Sequence, residues 1–94
     1  FLLLLTAPIL AQKDIAALES ELKKASSDST RRELHYKIAT QAMNEGQMDK
    51  ARQYADKLYR LSKSTQHQKG MVKGLELHGD IQKLNLPALY KRLE

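Results

Sequence analysis

The sequence predicts an all-α fold built from antiparallel helix pairs, and three observations predict it. First, the stretches ELHYKIATQAMNE and DKARQYADKLYRLSKS flank Gly46, and each spaces its apolar residues as a helix does. In the second, Ala51, Tyr54, Ala55, Leu58, Tyr59 and Leu61 follow the i, i+3, i+4, i+7 recurrence of one buried stripe; Leu34, His35, Ile38, Ala39 and Ala42 do so in the first. Second, the small residues Ala39, Ala42, Ala51 and Ala55 fall where the two stripes meet, which lets the helices approach closely. Third, the composition is rich in Ala, Leu, Lys and Gln with one Phe and no Trp, which favours helices around a thin core.

A length of 94 residues holds one small domain. Cysteine is absent, which excludes disulfides, thiol catalysis and Cys-ligated metal. The formal net charge of +5 keeps a nucleic-acid or anionic-surface partner open. The chain begins with Phe1 and its last stretch, PALYKRLE, breaks off within a helical pattern, so it reads as a piece of a longer protein.

In chain order, FLLLLTAPIL is an uncharged apolar run of signal-peptide length, shorter than the ~20 residues that span a bilayer. Ala11 follows it, with Ile9 two positions earlier, as at a signal-peptidase site. Residues 1–11 are therefore expected to be a signal peptide truncated at its N-terminus, and the mature chain to start at Gln12 in a secreted or periplasmic location. A buried first helix is the alternative, and Thr6, Pro8 and Ile9 suit it poorly. Residues 12–94 are expected to form a helical repeat domain that is incomplete at its C-terminal end.

Within that domain, Lys13 to Ala25 is predicted as a helix with Ile15, Leu18 and Leu22 on one face and Glu19 paired to Lys23. The cluster Ser26-Ser27-Asp28-Ser29 breaks the pattern, and Thr30 to Glu33 has capping-box form, so the next helix is placed from near Arg31 to Gly46. Its partner starts near Met48 to Asp49 and runs to about Ser64. From Lys69 a further helix is predicted, with Met71, Val72, Leu75, His78, Gly79 and Gln82 as its stripe and Leu77 and Ile81 beside it. Gly70, Gly74 and Gly79 weaken that helix by ~1 kcal/mol each, which points to close helix contacts there. Asn85-Leu86-Pro87 is expected to end it, with another helix starting at Ala88, Leu89 and Leu93.

These residues resemble tetratricopeptide repeats, whose pattern W-x2-L-G-x2-Y, then A-x3-F, then P, recurs about every 34 residues. His35 stands at the Trp place, Ile38-Ala39 at Leu-Gly, Ala42 at Tyr, and Ala51 and Ala55 at Ala and Phe, with Gly46 at the turn. Lys63 replaces the Pro. A second copy aligns Leu75, His78-Gly79 and Gln82 with Trp, Leu-Gly and Tyr, and then departs from the pattern, since no glycine follows Asn85 and Ala88 comes early. The step from Ala39 to Gly79 is about 40 residues, longer than the usual period. That length, with the leader and DSTRRELHYKIA, looks like the secreted repeats in front of bacterial sensor histidine kinases.

The resemblance implies a right-handed solenoid of stacked helix pairs that binds a protein or peptide, as the extracytoplasmic sensory part of a signalling protein. A free-standing secreted or periplasmic assembly scaffold is the alternative, and a basic nucleic-acid-binding domain a third reading. The first helix of each such pair lines the concave surface. The groove-face candidates are therefore Tyr36, Thr40, Met43 and Asn44, with Glu76, Asp80 and Lys83 in the next copy. The alternative, favoured for any one of these residues, is that Tyr36 and Met43 pack on the preceding helix, Lys13 to Ala25.

No enzyme, metal or cofactor is expected of this stretch. His35, His67 and His78 lie on separate segments without an H-E-x-x-H pair, and there is no G-x-S-x-G or P-loop. Glu19 and Glu21 read as solvated carboxylates. Arg31, Arg32, Lys50, Arg52, Lys57, Arg60 and Lys63 are the basic set for nucleic acid, but Glu33, Asp49 and Asp56 interrupt it and no aromatic is interleaved for base stacking. Homo-oligomerisation is open, and membrane contact is expected only through a segment beyond Glu94.

Overall fold

The computed structural model describes residues 14–93, and the side chains of residues 14–84. Four α-helices account for them: α1 Ile15–Lys24, α2 Asp28–Asn44, α3 Met48–Ser64 and α4 Gln68–Leu93. No strand occurs among the described residues. The expected signal peptide, residues 1–11, lies outside them.

Local chemistry sets the helix ends. Asp14 caps α1, its Oδ1 accepting from the Ala17 N–H at 2.7 Å. Ser27 caps α2, its Oγ accepting from the Thr30 N–H at 3.2 Å, so α2 begins at Asp28 rather than near Arg31. The capping box expected at Thr30 to Glu33 does not form, because Ser27 supplies the same hydroxyl one turn earlier; Glu33 pairs instead with Lys37 at 3.1 Å. Arg31 ties the α1–α2 link, donating to Asp28 Oδ1 at 2.8 Å and to the Ala25 carbonyl at 3.1 Å.

α2 and α3 end in the same way. After α2, the Gln47 N–H reaches back to the Ala42 carbonyl at 2.8 Å and the Gly46 N–H to the Met43 carbonyl at 3.1 Å. After α3, the His67 N–H reaches the Ser62 carbonyl at 2.7 Å and the Gln66 N–H the Lys63 carbonyl at 3.2 Å. Both are Schellman turns, which need one residue with positive φ. Gly46 takes it at 78° without steric cost, whereas Gln66 holds 55° with a side chain attached. Each turn folds the chain back into a helical hairpin.

The core runs through all four helices. Ile15 and Leu18 from α1 meet Leu34, Ile38, Ala39 and Ala42 of α2; Ala51, Tyr54, Ala55 and Leu58 of α3 lie next, then Leu77 and Ile81 of α4. The four alanines predicted at the α2–α3 crossing are fully buried. Consecutive helices pack on one another, and α2 also touches α4.

α4 departs from its predicted stripe. Its inward face is Gly70, Gly74, Leu77 and Ile81, while Val72 and Leu75 are more than half exposed and Gln82 is exposed. The second repeat copy set by Leu75, Gly79 and Gln82 is therefore not the packing register. The cause is backbone proximity: a Cβ on Gly74 would lie 3.0–3.2 Å from Cβ, N and Cα of Tyr59, and one on Gly70 would meet Ser62 Oγ and, at 2.8 Å, Ser62 Cβ. Only a glycine pair lets α4 sit this close to α3. Gly79, expected at a close contact, has open space where a Cβ would stand, with nothing within 4 Å.

Two further expectations change. α4 is one helix from Gln68 to Leu93 and does not stop at Asn85-Leu86-Pro87. A proline inside a helix costs about 3 kcal/mol and one hydrogen bond, but the turns on either side remain bonded. Glu19 does not pair with Lys23; it reaches across to α3, accepting from Tyr54 Oη at 2.6 Å and from Lys50 Nζ at 3.2 Å.

Candidate functional site

A cleft opens between α2 and the start of α4, floored by Leu58 of α3. α2 contributes Ser29, Arg32, Glu33 and Tyr36; the α3–α4 turn and α4 contribute His67, Lys69, Gly70 and Lys73, around about 230 Å³. Arg32 and Tyr36 are one helical turn apart, as are Lys69 and Lys73, so each helix presents one aligned row to the other. The rows meet where the Lys73 ammonium lies 5.0 Å from the Tyr36 ring centroid, within cation–π range. Arg32 Nη1 donates to Thr65 Oγ1 at 3.3 Å, which holds the guanidinium against the α3–α4 turn. The His67 Nδ1 accepts from the Gly70 N–H at 3.0 Å.

The charge around this cleft is unbalanced. Five cations of α2 and α3 face carboxylates: Arg31 with Asp28, Lys37 with Glu33, Lys50 with Glu19, Arg52 with Asp49 and Arg60 with Asp56. Lys57 lies over the Tyr54 ring at 4.5 Å. Within the cleft, Arg32, Lys69 and Lys73 have no carboxylate among the described residues, and the one acid there, Glu33, is held by Lys37. What the cleft offers is charge and an apolar wall.

A second polar cluster lies on the other side of α2. Buried His35 packs its ring against Tyr54 at 5.9 Å, with Nδ1 unpartnered among the described residues. Burial, with the nearby Lys57 and Arg31 cations, holds the imidazole below its ordinary 6.5. The hydrogen bond from Tyr54, then the Lys50 ammonium, draws the Glu19 carboxyl down against the opposing effect of partial desolvation. Burial first, and Glu19 second, pushes the Tyr54 hydroxyl up to about 12. This cluster fastens α1 and α2 to α3.

Of the seven groove-face candidates, only Tyr36 lines the cleft. Thr40 returns its hydroxyl to the Tyr36 and Lys37 carbonyls at 3.0 Å each. Met43 is half-buried against the core, and Asn44, Glu76, Asp80 and Lys83 are exposed outside the cleft. Lys69 and Lys73 were not among the sequence candidates. Their four-residue spacing on α4 matches Arg32 and Tyr36 on α2, but the match shows only once α4 is known to lie against α2.

No group of three or more His, Asp or Glu residues that could hold a metal ion occurs among the described residues, and no described helix is long and apolar enough to cross a membrane. Together the fold and the cleft define a small all-α helical domain with a basic, half-apolar groove. No family model, curated protein or solved structure matches this chain.

Proposed function

We propose that this chain is a helical-repeat scaffold that binds a polypeptide segment in the cleft between α2 and α4. The observation that carries the reading is the exposed ring of Tyr36, 37% accessible, set in a concave site beside cations that no acid among the described residues satisfies. Exposed aromatic residues in a concave setting are the usual anchors of protein interfaces. A repeat is supported by the two Schellman turns and by register: His35, Ala39 and Ala42 of α2 are followed at a step of 35 residues by Gly70, Gly74 and Leu77 of α4, all six buried. That step is close to the tetratricopeptide period of about 34.

The extracytoplasmic sensory role, with a free-standing secreted scaffold as its alternative, is supported by the apolar run at residues 1–10 followed by Ala11. Expression in a bacterium should place the protein outside the cytoplasm with Gln12 first; exported material that retains Phe1 would exclude cleavage there. For the binding reading, Tyr36→Ala should weaken capture of a selected peptide by ~1–3 kcal/mol with helix content unchanged. Selection of peptides against the full chain, followed by titration of this variant, makes the measurement. Peptides that bind Tyr36→Ala as tightly as the parent would place recognition elsewhere.

A further inference from the structure

Resting on the peptide-binding reading, we infer that the segment taken by the α2–α4 cleft is acidic. It places Asp or Glu carboxylates on Arg32, Lys69 and Lys73 and an adjacent apolar side chain against Tyr36 and Leu58. Charge complementarity selects this occupant. Five cations of α2 and α3 are already matched by carboxylates of the chain. The three in the cleft have no such match among the described residues, and Glu33, the acid beside them, is engaged by Lys37 at 3.1 Å.

The same geometry selects against nucleic acid. A phosphate backbone needs a track of free cations along a surface. Arg31, Arg52 and Arg60, which would extend the track, are ion-paired. A volume of about 230 Å³ takes one or two side chains. Arg32, fixed by Thr65 at 3.3 Å, still has four N–H donors free, enough for a bidentate grip on a carboxylate. The two lysines act as point charges on the opposite wall.

The test uses the full chain and two labelled peptides, one alternating Glu with Leu and the other with every Glu replaced by Gln. An oligouridylate and inorganic phosphate serve as competitors. Fluorescence anisotropy should show the Glu peptide binding at least about tenfold more tightly than the Gln peptide, with the difference shrinking as salt rises. Lys69→Glu with Lys73→Glu should remove that preference, and so should the milder Lys69→Gln with Lys73→Gln, whereas Lys63→Glu, outside the cleft, should not. Circular dichroism of each variant reports whether the helices persist.

Equal binding of the Glu and Gln peptides, with sensitivity to Tyr36→Ala retained, overturns the acidic assignment and leaves the peptide scaffold standing. An oligouridylate that binds more tightly than the Glu peptide and displaces it overturns both. Failure of both peptides and of phosphate to bind does so as well.

Discussion

At the scale of single residues, the glycines of α4 separate two effects that composition alone merges. Gly79 has open space around it, so Gly79→Ala should stabilise the chain by the helix-propensity difference, ~1 kcal/mol. Gly74 faces the backbone of Tyr59, which cannot move without moving α3, so Gly74→Ala should instead cost ~1–3 kcal/mol through overpacking. Urea melts of the two variants should therefore shift in opposite directions; shifts of the same sign would mean the α3–α4 face is misassigned. The two turn residues make a similar pair. Gln66→Gly should gain ~1 kcal/mol by relieving a left-handed conformation, and Gly46→Ala should lose about as much although its Cβ would touch nothing. Thermal melts that leave Gln66→Gly below the parent would contradict this.

At the scale of helices, the link from α1 to α3 sets the pH response. Glu19 has a lowered pKa when folded, so its contribution is present above the unfolded value of 4.5 and is lost as pH falls through the folded one. His35 is lowered from 6.5, so the unfolded chain binds its proton first, and stability declines as pH drops below 6.5. Tyr54 is raised from 10 to about 12, so its contribution is intact below pH 10 and lost as pH climbs through about 12. Stability measured by denaturant across pH should thus fall on both sides of neutrality. Tyr54→Phe should flatten the alkaline limb, and His35→Phe should flatten the decline just below pH 6.5. If both limbs kept the parent's slope in these variants, the cluster would not be their source. Because α1 is held by Ile15, Leu18 and these polar contacts, its amides should exchange faster than those of α2 and α3.

At the scale of the whole molecule, α4 presents three faces with different fates. One packs on α3 through Gly70, Gly74, Leu77 and Ile81, and one carries Lys69 and Lys73 into the cleft. The third exposes Val72 at 53% and Leu75 at 58%. An open apolar face of this kind promotes association, so sedimentation of the chain should show a weight average that rises with concentration. Leu75→Glu should suppress the rise. A strictly monomeric chain at every concentration would show that the face is too small to matter.

Much of this molecule is determined locally and could be read from the sequence. Apolar spacing placed α2 and α3, Gly46 marked the turn between them, and four alanines marked their crossing, because each depends on residues within a few turns of one another. The rest depended on which helix lies against which. Glu19 has a plausible partner in Lys23 along its own helix, yet Tyr54 and Lys50 take it because α3 passes beside α1. Val72 and Leu75 are more hydrophobic than Gly70 and Gly74, yet the glycines face inward, where a Cβ would strike Ser62 at Gly70 and crowd Tyr59 at Gly74. That rotation of α4 also brings Lys69 and Lys73 opposite Arg32 and Tyr36. Periodicity in a sequence records that a helix has a preferred face, whereas the cleft exists only because distant backbones met at a distance that two missing side chains allow.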